Sequence, residues 1–246
     1  MKSGDATCPP GKPMIATTPS YMPRLAACAL FLWAALAQAQ VPPSPAEAAR
    51  FSALHAAAHQ GDPKRLSALL AAGAASNGRD SHGRTALHVA TFARQRDAIR
   101  LLAKAGAELG ALENDRYDAV TIAAVADDEE TLALLLSLGA SAKLTTSRYD
   151  GTALIAAAHL GHDGVVRQLI AAGAPLDHVN NLHWTAAIEA VVLGDGGPRH
   201  QACLQALVDA GANIRLTDRS GQTPMQLARA RGYTAMVTML ERAGAK

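Results

Sequence analysis

The chain has 246 residues, of which 49% are hydrophobic and only 4% aromatic. Its 23 basic and 21 acidic residues give a net charge of +2, but residues 1–39 hold three of the basic and one of the acidic residues. Residues 40–246 are therefore neutral, which disfavours nonspecific nucleic-acid binding because such binding needs clustered positive charge. They also hold a single cysteine, Cys203, which excludes a disulfide framework within that stretch.

The first 39 residues are predicted to be a leader with a signal peptide. Residues 1–21 are rich in Pro, Thr, Ser and Gly, and we predict no structure for them. Arg24 then precedes an apolar run of 12 residues, 25–36, which ends at an Ala-Gln-Ala sequence before Gln40. These features are typical of a secretory signal, and the apolar run is too short for a transmembrane helix. We expect cleavage before Gln40, with an uncleaved anchor or a leader without function as the alternatives.

Removal of this leader would place the protein outside the cytoplasm. We expect it in the periplasm, with no stable insertion in the membrane after cleavage. The start of translation stays open between Met1, Met14 and Met22. Residues 40–45 hold three prolines and are predicted to be a stiff linker, followed by one domain at 46–246.

A pattern of about 33 residues recurs six times along this domain. Six residues that can cap a helix N-terminus stand at spacings of 33, 33, 34, 33 and 38, namely Ser52, Thr85, Asp118, Thr152, Thr185 and Thr223. An alanine follows each of them five residues later, which indicates a helix packed too closely for larger side chains. A second helix carries an apolar pair three residues apart, such as Leu132 and Leu135, and each unit ends in Gly-Ala.

The first helix of two units carries a known signature. Thr-Ala-Leu-His-Val-Ala at 85–90 and Ser-Ala-Leu-His-Ala-Ala at 52–57 resemble the ankyrin repeat, as does the period. The resemblance implies an all-α, ankyrin-type α-solenoid of helix-turn-helix repeats joined by short β-hairpin loops. It also implies that His55 and His88 form hydrogen bonds at the repeat junctions. The later repeats depart from it, with Thr121, Ile155, Ile188 and Gln226 at the histidine position.

Six repeats are predicted, at about 46–75, 80–108, 113–142, 147–175, 180–213 and 218–246. The first lacks a preceding hairpin and should cap the N-terminal end of the stack. One extra residue falls in the hairpin at 143–150. Five extra residues fall near 194–201 in the fifth repeat, where we predict a longer loop between the two helices.

No set of residues predicts an enzyme, a metal site or a cofactor. The Gly-Asp-Gly-Gly-Pro at 194–198 is similar to the nucleophile loop of trypsin-like proteases, but it lacks the serine, and no Lys-Ser/Thr follows to form a phosphate cradle. His55 and His59, like His159 and His162, are spaced for one helix face, yet the repeat places no carboxylate or thiol beside them. The acids at 127–130 suit the start of a helix and are interpreted as solvated, since they lack the pattern of a calcium loop.

Ankyrin-like stacks line up their first helices and hairpin tips in a concave surface, and the resemblance implies that this surface recognises protein. The middle three hairpins carry three of the chain's few aromatic rings, each beside a basic residue or histidine: Arg116, Tyr117, Arg148, Tyr149, His183 and Trp184. Tyr, Trp and Arg dominate binding energies at interfaces. We therefore predict that these positions are exposed and bind the partner, and the alternative is that the rings pack hairpin on hairpin.

Taken together, these features predict a monomeric, non-enzymatic protein that binds another protein of unknown identity. Two alternatives stay open. One is an accessory or inhibitor of an envelope enzyme, and the other is ligand binding at the 194–201 loop.

Overall fold

The computed structural model describes residues 42–245, so the predicted signal peptide, the choice of start codon and the first linker residues lie outside the described residues. Within this range the chain forms thirteen helices and one two-stranded sheet. None of these helices combines the length and apolar character needed to cross a membrane. The predicted all-α solenoid with short hairpins is confirmed.

Twelve of the described helices form six consecutive pairs, preceded by the short helix α1 (Pro45–Ala48). The pairs are α2 (Ala53–Gln60) with α3 (Pro63–Ala71), α4 (Ala86–Phe92) with α5 (Arg96–Lys104), α6 (Ala119–Val125) with α7 (Glu129–Ser137), α8 (Ala153–Leu160) with α9 (Asp163–Ala171), α10 (Ala186–Val192) with α11 (Pro198–Asp209), and α12 (Pro224–Ala230) with α13 (Thr234–Arg242). The strands β1 (Thr145–Thr146) and β2 (Gly151–Thr152) form the hairpin in front of α8.

The helices stack in two layers. Each first helix packs against its own second helix and against the first helix of the next pair, and the second helices pack on one another in the same order. One hydrophobic cluster consequently runs along the stack from Leu54 to Leu240. Each pair buries its apolar side against the adjacent pairs. The stability of one repeat therefore depends on its neighbours, as is usual in solenoid proteins.

The six predicted capping residues all stand at the N-cap of a first helix. In five of them the side-chain oxygen accepts the backbone N–H three residues later, as Asp118 does from Thr121 at 2.9 Å. The six signature alanines are at most 1% exposed, because neighbouring first helices meet there. Both predictions are confirmed.

The apolar stripe on the second helices is also buried, except at the two ends of the stack. Leu69 in the first pair is only partly buried, and so is Val237 in the last pair, which stands at the position of Leu132, while its neighbour Met236 is fully buried. Within residues 42–245 each terminal repeat packs against one other repeat instead of two, so one side of its stripe has no neighbouring repeat there. Each pair then ends at a glycine with φ between +78° and +95°, the left-handed conformation that its Gly-Ala ending predicts.

The two signature histidines connect neighbouring repeats, as the resemblance implies. The Nε2 atom of His55 lies 2.9 Å from the carbonyl oxygen of Arg84. The same atom of His88 lies 2.9 Å from the carbonyl oxygen of Ala111 and 3.1 Å from that of Tyr117. The backbone N–H of Thr85 donates to Nδ1 of His88 at 3.0 Å, so the ring accepts on one nitrogen and donates from the other. Burial lowers the pKa of His88 to about 4, which keeps this ring neutral near pH 7.

The hairpins form a continuous row along one edge of the stack. In most hairpins a backbone hydrogen bond joins two residues that are four positions apart, such as Asn180 and Trp184. In the hairpin in front of α8, Thr146 instead pairs with Gly151, which is five positions away. The extra residue therefore lies in the hairpin, as predicted. Successive tips are joined by backbone N–H bonds of 2.9–3.0 Å, from Asn114 to His82, from Ser147 to Arg116 and from Asn181 to Tyr149.

Helix α1 occupies the place of a hairpin in front of the first pair. Ser44 and Glu47 form a capping box that closes its first turn. The carboxylate of Glu47 lies 3.1 Å from His82 and 3.3 Å from Arg84, both in the next hairpin. This segment thus continues the hairpin row to the N-terminal end of the described chain.

The insertion in the fifth repeat is divided between a helix and a loop. Helix α11 has twelve residues, and the other five second helices have nine. The prediction that all five extra residues lengthen the loop is therefore wrong, since three of them extend the helix. Pro198 lies in the first turn of α11, where proline has no N–H to lose and its fixed φ suits a helix.

Candidate functional site

A concave groove of about 640 Å³ lies between the first helices of the third, fourth and fifth pairs and the hairpins in front of them. Helices α6, α8 and α10 form its floor, and the residues that follow α10 form one end. The volume falls within the range of roughly 300–1,000 Å³ that is usual for ligand pockets. The groove is therefore large enough for several side chains of a partner.

One part of the groove is apolar. Val125 on α6, Ile155 on α8 and Leu193 after α10 line it, together with the ring of Tyr149. Leu160, at the end of α8, is 39% exposed, and Val179 is the other large hydrophobic residue exposed within 42–245. Apolar surface left open beside a concavity is typical of an interaction site.

A buried carboxylate lies in the same groove. Glu189 on α10 is 5% exposed, and its Oε1 accepts a hydrogen bond from the side-chain amide of Asn180 at 3.0 Å. Its Oε2 lies 3.1 Å from Nδ1 of His159 on α8. Asn180 also accepts the backbone N–H groups of Leu182 and Trp184 at 3.0 Å each. The carboxylate consequently ties the hairpin at 180–184 to α8 and α10.

The insertion supplies the end of the groove. His200 on α11 places Nδ1 2.8 Å from the carboxylate of Asp195 and Nε2 3.0 Å from the carbonyl oxygen of His159. Both partners are acceptors, so the ring makes the two bonds together only when both nitrogens carry protons. Two hydrogen bonds hold the pKa of Asp195 below its usual range. The larger effect comes from the backbone N–H of Gly197, and the smaller one comes from His200. This loop is thereby fixed against α8.

The predicted partner-binding arginines lie on the hairpin row and are already paired. Nη1 of Arg116 lies 2.8 Å from Asp150 in the next hairpin, and Nη2 of Arg148 lies 2.8 Å from Asp115 in the preceding one. Each of these four side chains is about half exposed. The two arginines thus have a structural function that the sequence did not reveal, because they join adjacent hairpins in a reciprocal manner.

The three predicted aromatic residues lie at different depths. Tyr117 is only 6% exposed and packs with Ile122 and Phe92, so the prediction that it is exposed is wrong. It directly precedes the buried cap of α6, which turns its ring toward the preceding repeat, and burial raises its pKa to about 12. Tyr149 is half-buried. Trp184 is also half-buried and packs against the main core, whereas His183 is exposed.

Only Tyr117 and Tyr149 of the six predicted residues line the groove. The binding function of the set therefore stays a prediction. Glu189 is absent from that set, although a signal for it exists in the sequence. Four residues after the cap, the other five repeats carry an apolar residue, namely Ala56, Val89, Ile122, Ala156 and Leu227, and the fifth carries Glu189.

The acidic run at 127–130 is solvated only in part, since Glu129 and Glu130 are exposed as we expected but Asp128 is buried. Asp128 is 5% exposed, caps α7 and lies 2.9 Å from Arg96 of α5. Asp127 pairs with Arg199 of α11 at 2.8 Å, and Glu130 pairs with Arg96 at the same distance. These acids connect helices of three repeats because each faces an arginine of a neighbouring helix.

The remaining reactive groups serve the structure. Cys203 is fully buried, and burial raises the pKa of its thiol to about 12, so it carries no reactive thiolate near pH 7. Within residues 42–245 no group of three or more His, Cys, Asp or Glu side chains is arranged to hold a metal ion. His162 bonds the carbonyl oxygen of Ala124 at 2.9 Å. The arrangement is suited to binding through shape, apolar surface and charge.

Comparisons with known proteins agree with this architecture. A model of ankyrin repeats in three copies matches residues 28–113 and 120–218, and a model of ankyrin repeats in many copies matches 198–241. The ankyrin repeat protein YahD of Escherichia coli (strain K12) is 40% identical over 100 residues, which are 40% of this chain and 50% of YahD. The chain thus spans about half the length of this curated relative.

Two solved structures show the same fold. The ankyrin repeat domain from Acinetobacter baumannii AYE has a TM-score of 0.75 and 43% identity, over 78% of this chain and 98% of that one. A chain in the structure of the predatory endopeptidase Bd0816 from Bdellovibrio bacteriovorus in complex with immunity protein Bd3460 has a TM-score of 0.62 and 22% identity. That match covers 78% of this chain and 98% of the other.

The family models cover most of the chain, and the repeat signature, the caps and the stacked helix pairs all agree with them. Ankyrin repeat domains generally mediate protein–protein interaction and are generally not enzymes. The chain therefore belongs to the ankyrin repeat family.

Proposed function

We propose that this protein binds another protein in the groove between α6, α8 and α10. The observation that carries the proposal is the open apolar side chain of Leu160 beside the groove, with Tyr149 and Ile155 also lining it. Burial of such surface drives association, and a ring in a concave site is a frequent energetic anchor. The rigid helices below need little rearrangement on binding, which limits the entropic cost.

The two exposed hydrophobic residues provide a matched test of this proposal. Leu160 lines the groove and Val179 does not, although they are exposed to a similar extent. A pull-down with the purified protein from its native envelope fraction should capture a partner. Leu160→Glu should weaken that capture at least tenfold, and Val179→Glu should leave it unchanged. Equal capture by both variants would place the interface elsewhere, provided that both melt at the temperature of the unmodified protein.

The proposal includes export to the periplasm. It is supported by Arg24, the apolar run at 25–36 and the Ala-Gln-Ala sequence before Gln40. N-terminal sequencing of the protein from a periplasmic fraction should begin at Gln40. Recovery of the chain from the cytoplasm with Met1 or Met22 still at its N-terminus would contradict export.

A second candidate is the control of an envelope enzyme. The complex between a predatory endopeptidase and an immunity protein contains a chain with this fold, which supports a partner that is itself an enzyme. The alternative of ligand binding at 194–201 draws support from Asp195 and His200, which line the groove. Assays of the captured partner with and without this protein separate inhibition from simple scaffolding, since only inhibition lowers the partner's turnover.

A further inference from the structure

We propose that the groove receives a basic side chain, Arg or Lys, of the partner, whose cation pairs with Glu189 while its neighbours pack on the apolar side of the groove. This inference rests on the proposed function and specifies the chemistry of the partner. It is carried by the imbalance of charge among the residues that line the groove.

The lining holds two carboxylates, Glu189 and Asp195, and neither lysine nor arginine. Each lies beside a histidine, Asp195 beside His200 at 2.8 Å and Glu189 beside His159 at 3.1 Å, but the Asp195 side chain is 77% exposed and that of Glu189 is buried, so Glu189 is the carboxylate that water does not solvate. Within residues 42–245 its side-chain partners are the neutral amide of Asn180 and the imidazole of His159. Each oxygen accepts one such bond, although a carboxylate can accept about four in all. A buried carboxylate is normally paired, so this site favours an incoming cation.

The arginines near the groove are engaged elsewhere and do not supply that cation. Arg116 and Arg148 are paired with aspartates across the hairpin row. Arg199 lies 2.8 Å from Asp127 and 3.6 Å from Asp163, neither of which lines the groove. Arg231 donates to the carbonyl oxygen of Val192 at 3.1 Å. A cation supplied by the partner would therefore meet a carboxylate that no lysine or arginine in this part of the chain neutralises.

The apolar lining also suits a long basic side chain better than a small ion. Lys and Arg bury their aliphatic stems along apolar surface while the charged head reaches a polar group. Val125, Ile155 and Leu160 provide such surface beside the carboxylate. The ring of Tyr149 adds a face on which a guanidinium can stack. An acidic partner segment would instead place like charges together in a poorly solvated site.

The test uses a displayed library of random 12-residue peptides selected on the full-length protein. Selected peptides should carry a basic residue flanked by apolar ones. Each is then synthesised with arginine and with citrulline, which has nearly the same shape and no charge. Citrulline should weaken binding at least tenfold. Glu189→Gln should weaken binding of the arginine peptide to a similar extent, and it should remove most of the difference between arginine and citrulline.

Asp97→Asn is the matched control for net charge, because Asp97 lies on α5, is 83% exposed and pairs with Arg100 away from the groove. This variant should bind the arginine peptide as the unmodified protein does. Equal affinity for arginine and citrulline on the unmodified protein overturns the inference, even if Glu189→Gln fails to fold. If peptides bind in a manner that depends on Leu160 but not on charge, the inference fails and the proposed function stands. If no selected peptide depends on Leu160, both fail.

Discussion

Tyr233 donates a hydrogen bond from its hydroxyl to the carbonyl oxygen of Gly194 at 3.0 Å. Its ring also covers Gly196 so closely that a Cβ atom on that residue would lie 2.6 Å from the nearest ring carbon. Tyr233 caps α13, so the sixth repeat fixes the insertion of the fifth. The position of Asp195 at the end of the groove thereby depends on a residue in the next repeat.

Replacement of Gly196 by alanine should destabilise the protein through both strain and crowding. Gly196 has φ of +70°, and Gly221 has φ of +75° with open space where a Cβ atom would lie. Gly221→Ala should cost about 1–2 kcal/mol from the left-handed backbone alone. Gly196→Ala should cost about 1–3 kcal/mol more, since the Tyr233 ring must move. Urea denaturation of the two variants measures this difference, and equal losses would mean that the ring yields freely.

The stability of the protein should depend on pH through His88. Its pKa is about 4 in the folded protein and 6.5 for an unperturbed histidine. Between these values the unfolded chain binds a proton that the folded chain excludes, so the free energy of unfolding falls as the pH is lowered. The full difference is about 3 kcal/mol, at 1.36 kcal/mol for each pKa unit. Denaturant melts at intervals from pH 7 to pH 4 should show this loss.

The sixth repeat suggests a control variant for this prediction. At the position of His88 it carries Gln226, whose Oε1 accepts the backbone N–H of Thr223 at 2.8 Å. His88→Gln should therefore keep the bond to the backbone N–H of Thr85 but remove the titrating group. The variant should lose less stability than the unmodified protein between pH 6.5 and pH 4. Identical pH profiles would show that His88 does not cause the dependence.

Core truncations should be graded by position in the stack. Leu135, Leu169 and Leu240 are all fully buried, but the last lies in a repeat with one described neighbour. Leu135→Ala and Leu169→Ala should each cost about 2–5 kcal/mol, because they leave cavities between two repeats. Leu240→Ala should cost less, since the terminal helix can relax into the space. Three equal losses in denaturant melts would argue against stability that depends on neighbouring repeats.

Most of the fold follows from local rules that repeat. Caps, signature alanines and terminal glycines each act within a few residues, so one period of sequence predicts them in every repeat. The helix extension at Pro198 also has a local signal, because proline is common at the first position of a helix. Glycine-rich sequence usually indicates a turn, however, so the residues around Pro198 favour a longer loop when they are considered alone.

The groove is harder to predict because it depends on contacts between repeats. Tyr117 is buried by Phe92, which lies one repeat earlier, and Arg116 is paired with Asp150, one repeat later. Neither contact can be read from the residues beside these positions. Glu189 is the exception, because it is the only charged residue at its register among the six repeats. Comparison of the repeats with one another reveals it, whereas a search for motifs does not.

Removal of the two half-buried rings of the hairpin row should affect binding and stability differently. Tyr149 lines the groove, whereas Trp184 lies outside it and packs against the main core. Tyr149→Ala should weaken partner binding by about 2 kcal/mol, as loss of an interface anchor does, with little change in melting temperature. Trp184→Ala should lower the free energy of unfolding by about 1–3 kcal/mol, because it removes packing.

Measuring affinity for the captured partner and the melting temperature on the same preparations separates the two functions. If Tyr149→Ala lost stability and its folded fraction bound normally, that ring would be a packing residue and the hairpin row would lie outside the interface. If Trp184→Ala lost affinity at unchanged stability, the interface would extend from the groove along the hairpin row to the fifth repeat. Four of the six predicted residues, Arg148, Tyr149, His183 and Trp184, would then describe the binding surface better than the groove alone.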